Sequence, residues 1–132
     1  MVRCGVADLL IVSLSPLDYG EVRRSAEDIR ARWVDPFFFG SEADDRTVAA
    51  AFNSRAHPGG VKINAIWSSD VGHWDVPEFT EPLAETWDLV EQGVISPEDF
   101  RAFVFGNPLR FYTEANPNFF DGTAVGQRLN PN

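Results

Sequence analysis

The sequence is poor in the residues that most enzymes and nucleic-acid binders rely on. It has one cysteine, Cys4, so a disulfide framework and a cysteine zinc site are both excluded, and a cytoplasmic setting is expected. It has one lysine, Lys62, and a net charge of −9. No stretch supplies the basic patch that nucleic acid or an anionic membrane surface would need. The longest apolar run, near Val6 to Leu14, is broken by Asp8. It is too short to span a bilayer and lacks a signal-peptide cleavage pattern. No Gly-rich phosphate loop, Gly-x-Ser-x-Gly elbow or His-Glu-x-x-His motif is present, which removes several enzyme classes. Only two histidines exist, His57 and His73.

Aromatic residues, by contrast, are abundant: eleven Phe and four Trp in 132 residues. Such a chain is long enough for one compact domain and too short for two. The rings imply either a ring-rich core or an interface.

Val6 to Ser13 reads as a buried strand, with Leu9 to Val12 in succession. Glu21 to Trp33 reads as a helix with Val22, Ala26, Ile29 and Trp33 on one stripe. A second strand is expected over 34–39, ended by Gly40, although Pro36 argues against regularity at its start. Asp44 or Asp45 can cap a short helix running to about Phe52. The third strand is placed at 62–68. A helix from about Phe79 to Gln92 follows, with Leu83, Trp87 and Val90 on one face and Gly93 as its stop. Ser96-Pro97-Glu98-Asp99 is a strong helix start. That helix is expected to end at Gly106, with a short one from Asn107-Pro108 through Tyr112, and a surface tail over 113–132. The strand centres, near Leu10, Phe38 and Ile66, lie roughly 28 residues apart, about one βα unit. Near-continuous apolar strands alternating with helices indicate an α/β fold with a parallel sheet.

In such folds functional side chains sit at the carboxyl ends of strands. The stretch Ile63 to Asp75 fits that rule: an apolar strand, then Ser68-Ser69-Asp70, then Gly72-His73. Asp70 is the leading candidate for a metal ligand or general base, against the alternative of a turn-forming Asp. His73 and Asp75 could be a metal ligand with a supporting carboxylate, or an acid/base pair. The alternative is a histidine packed between Trp67 and Trp74. Glu42, Asp44 and Asp45 could line a pocket mouth, but acids at a helix N-terminus are routine. His57 lies in a Pro-Gly loop and is expected to be solvated. Asn107, Pro108 and Arg110 read as structural.

Two segments, Trp67 to Asp75 and Phe103 to Tyr112, together resemble the C-terminal end of the amidohydrolase-related superfamily. The similar branch contains aminocarboxymuconate semialdehyde decarboxylase and resorcylate-type decarboxylases. In that family the eighth barrel strand ends in an Asp that binds or faces a catalytic divalent metal, usually zinc. A helix and an Asn-x-x-Arg motif come after it. Asp70, Asn107 and Arg110 match in order and spacing. The resemblance implies that 1–132 is one partial domain, the C-terminal portion of a (β/α)8 TIM barrel with about three βα units plus C-terminal helices over 79–112. It implies a metal-dependent hydrolase or decarboxylase acting on a small-molecule substrate, with Asp70 as metal ligand and catalytic carboxylate. Ser69, His73, Trp74 and Asp75 would form the wall and support of the pocket. The family's His-x-His pair has no counterpart among two histidines, so this chain by itself is expected to bind zinc weakly and turn nothing over. Two non-catalytic alternatives remain. One is an interaction or oligomerisation module that associates with itself or with a complementary chain. The other is a self-contained small-molecule-binding domain.

Overall fold

The computed structural model describes residues 26–129. The expected strand at 6–13, the first part of the helix at 21–33, and Cys4 lie outside them. The described residues form a mixed α/β fold around a two-stranded parallel sheet. No helix among them is long and apolar enough to cross a membrane.

The sheet pairs β1 (Phe39–Glu42) with β2 (Ala65–Ser68) in the register Phe39↔Ala65 to Glu42↔Ser68. A parallel pair requires a crossover, because the chain must return to the starting end. Residues 43–64 supply it through a 3₁₀ turn (Arg46–Val48) leading into a short α-helix (Ala49–Phe52). Asp45 starts this crossover helix, its carboxylate accepting from the Thr47 amide at 2.8 Å and hydroxyl at 2.7 Å. These bonds, with a smaller contribution from Ser41, outweigh slight burial and hold the Asp45 carboxyl below its ordinary value.

The second strand is displaced from its expected place. Residues 34–39 are largely not strand: a first helix, α1 (Ala26–Ile29), continues as a π turn (Arg30–Val34), and β1 starts at Phe39 and runs through Gly40. Pro36 bars the run from regular pairing, and the strand begins only where Phe39 N–H can donate to Asn64 O, at 3.0 Å. Trp33, Phe37 and Phe39 then stand about half exposed in a ladder, with ring centroids at 5.6 and 6.5 Å.

The core lies on the β2 side. Val48, Phe52, Ala65, Leu89, Ile95 and Phe103 form one buried cluster, with Phe103 wholly enclosed and its ring edge-on to Phe52. With the crossover helix as α2, the next helix is α3 (Pro82–Glu91), which buries Pro82, Thr86 and Leu89. The expected face is rotated by one residue: Leu83 and Trp87 point outward, and Trp87 packs edge-on to Phe100. The small Thr86 faces β2 and takes the Trp67 indole N–H on its hydroxyl at 2.7 Å. Gly93, at φ 68°, closes α3. Its N–H donates to Val90 O, and Val94 N–H donates to Leu89 O, satisfying two end carbonyls.

The expected capping box is present at α4 (Pro97–Arg101), with Ser96 and Asp99 bonded reciprocally. The expected stop at Gly106 is not. Gly106 is helical (φ −63°, ψ −49°), and the chain passes through a π turn (Ala102–Gly106) into α5 (Asn107–Ala115). Pro108 has no N–H and its ring would strike the Val104 carbonyl, so the widened turn carries the helix past it. Asn107 does not cap; its amide donates to Ala65 O on β2 at 2.8 Å. The tail expected over 113–132 is instead helical to Ala115 and again in α6 (Ala124–Leu129). It folds back through stacked rings, with Tyr112 and Phe119 at 4.4 Å.

Candidate metal centre at the carboxyl end of the second strand

β2 leaves the core progressively, from buried Ala65 to exposed Ser68. Two tight turns follow. Ser69 Oγ accepts from Val71 N–H at 3.3 Å, and Asp70 O accepts from His73 N–H at 3.2 Å. Gly72, third residue of the second turn, has φ 103°, which excludes most side chains there. Asp70 itself is left-handed at φ 54°, a conformation that Asp tolerates better than most residues.

The result is a chain reversal that folds His73 back over Asp70. The imidazole Nδ1 lies 2.8 Å from Asp70 Oδ1. Asp70 keeps only 21% of its side chain exposed, while His73 is 68% exposed. A further turn, Val76 N–H to His73 O, carries Asp75 to the same place. One ligand atom from each of Asp70, His73 and Asp75 lies within 4.8 Å of the others.

Those donors suit a divalent cation. Bonds of about 2.0–2.1 Å at the tetrahedral angle separate two zinc ligands by about 3.3 Å. The Asp70–His73 pair would therefore open by about 0.5 Å to admit a metal. Next to Asp75 a hollow of about 50 Å³ is walled by Glu78, Glu81 and Glu85. These carboxylates add negative potential beside the cluster and favour a cation there.

Of the residues expected at this site, Asp70, His73 and Asp75 come together. Ser69 serves the turn. Trp74 stands 94% exposed in solvent. His73 does not pack between Trp67 and Trp74, because its ring is held outward by Asp70. Glu42 lies opposite Ser68 in the register, at the same sheet end and exposed. Asp45 is committed to the helix cap. His57 is half-buried rather than solvated, with Nδ1 3.1 Å from Val61 O. Two supports were missed in the sequence. One is the wall of acids, whose signal was carboxylates at 78, 81 and 85. The other is the chain Trp67 Nε1–H to Thr86 Oγ1, and Thr86 hydroxyl to Pro82 O at 2.8 Å, which pins β2 just before the turns. A lone Thr in an apolar stripe gave little sign of it.

Comparison with models of protein families, with curated proteins and with solved structures yields no match, so this geometry stands on its own.

Proposed function

We propose that this chain carries the strand-eight portion of an amidohydrolase-like (β/α)8 barrel and contributes Asp70 to a divalent-metal site, zinc being the expected ion. The observation that carries the reading is the placement of Asp70, His73 and Asp75 with ligand atoms within 4.8 Å at the carboxyl end of a parallel strand. When bound, the ion would supply Lewis acidity and activate water for hydrolysis, or polarise a carboxylate substrate for non-oxidative decarboxylation. Asp70 would hold it, as the least exposed of the three. His73, with Nδ1 2.8 Å from Asp70 Oδ1, would supply a nitrogen beside it, and Asp75 a second carboxylate. The remaining nitrogen ligands that such a site uses must come from other histidines than the two here. Turnover by this chain alone is therefore not expected, and the reading places the protein in the cytoplasm.

Cobalt(II) titration followed by visible absorption tests this reading. Ligand-field bands distinct from aqueous cobalt, lost in Asp70→Asn and weakened in His73→Gln, are the expected result. A spectrum identical to aqueous cobalt at saturating protein would sink the proposal.

A second reading, an interaction module, is favoured by one specific observation. Trp33, Phe37 and Phe39 form a half-exposed aromatic ladder leading into β1, a strand with one paired neighbour among the described residues. Concentration-dependent sedimentation that Phe37→Ser abolishes would support it. A single monomer species at high concentration would count against it.

A further inference from the structure

At the opposite end of the sheet, before β1 and β2 begin, the structure holds a polar cavity of about 230 Å³. Three of the chain's eleven cationic side chains line it: Arg30, Lys62 and Arg110. Arg110 is the most informative. Its guanidinium lies over the Phe38 ring, 4.7 Å from the centroid, which fixes the plane of the fork. Its Nε and Nη2 are buried and have no hydrogen-bond acceptor, although Nε lies 3.3 Å from a Glu114 oxygen without bonding geometry. Buried donors of a charged group are nearly always satisfied, and leaving them unmet is costly. Asp35 also lines the cavity, but its Oδ1 is taken by Arg30 Nε at 3.3 Å. Lys62 bonds Asp99 through one of its three N–H groups. The Asn64 amide donors are spent on the Val34 and Phe37 carbonyls. Each of the three cations thus stands beside a carboxylate, and the unmet polar capacity is the pair of Arg110 donors, Nε and Nη2.

From this we infer that the cavity is a binding site for a small oxyanion, either phosphate or the carboxylate of a small molecule. A planar guanidinium presenting Nε and Nη2 along one edge matches two oxygens of such a group, which would take the place of Glu114 beside Nε, and Lys62 and Arg30 line the same cavity. The site is independent of the metal reading, since it shares no residue with it.

The test is calorimetric titration at constant ionic strength with inorganic phosphate, and separately with malonate, using chloride as background. Saturable one-site binding is expected. Arg110→Gln should weaken it on the order of tenfold or more, the loss of a charge-assisted bidentate contact. Arg110→Lys should lose less, and Arg46→Gln, a distant surface change, nothing. Asp70→Asn should leave it unchanged, which separates this site from the metal proposal. Should Arg110→Gln fail to fold, Lys62→Gln at a half-exposed position gives the same reading through a smaller loss. Phosphate binding tenfold tighter than malonate assigns the phosphate class, and the reverse assigns the carboxylate class. No saturable binding of either anion, or an equal loss in Arg46→Gln, overturns the inference.

Discussion

Replacing Thr86 by Val tests how the candidate site is held in place. The change preserves shape and removes only the hydroxyl that joins β2 to α3. Thr86 is fully buried, and Trp67, its donor partner, is half-buried on β2. Without the hydroxyl the indole N–H loses its acceptor and water has limited access to replace it. An unmet buried donor costs about 1–3 kcal/mol. The Thr86 bond to Pro82 O is a back-bond within the helix, which adds little. A loss of about 2 kcal/mol is expected, roughly 6–8 °C in Tm for a chain between the small and medium size classes. Trp67→Phe removes the donor together with ring volume, so its own loss mixes two causes. The double variant isolates the bond, because volume cancels around the cycle. A coupling of about 1–2 kcal/mol by urea unfolding is expected, with Thr86→Val costing less in the Trp67→Phe background. Losses that add to within about 0.5 kcal/mol would show that the two groups do not interact, and the picture of a strand pinned before the Asp70 turn would fail.

Phe103→Ala should cost about 3–5 kcal/mol, since a fully enclosed ring leaves a cavity among Phe52, Leu89 and Ile95; a loss under 1 kcal/mol in chemical denaturation would place the core elsewhere. Asp99 gives the pH dependence. Burial raises its carboxyl, but bonds from Lys62 and Ser96 outweigh burial and hold it below the ordinary 3.8. The folded value is depressed, so its stabilisation is present above the unfolded value and lost as pH falls through the folded one. Asp99→Asn should cost about 1–2 kcal/mol at neutral pH, mostly through the cap because Lys62 is half-exposed. It should also flatten the fall of Tm below about pH 4; an acid limb as steep as the parent's would contradict this assignment.

Local chemistry was the most readable part of the sequence. Ser96-Pro97-Glu98-Asp99 and Gly93 set helix ends through bonds between near neighbours, and both appear as expected. Asp70, His73 and Asp75 lie close in sequence too, and their meeting depends on two tight turns and Gly72. What failed to show depended on distant partners. The start of β1 is set by the Asn64 carbonyl, 25 residues away from Phe39, so the run from Val34 gave a strand too early. The buried face of α3 is chosen by Trp67 reaching for Thr86, against the larger apolar side chains at 83 and 87. Gly106 reads as a stop followed by a restart at Asn107-Pro108, but a π turn carries the helix through both.

Zinc affinity measured by competition with a chromophoric chelator, on the parent chain and on Asp70→Asn, tests the central proposal most directly. Asn suits the left-handed backbone at this position, so the variant removes charge while keeping the turn. One weakly held zinc per chain, reduced on the order of 100-fold or to nothing in Asp70→Asn, is the expected result. Zinc binding that is unchanged in Asp70→Asn would contradict it.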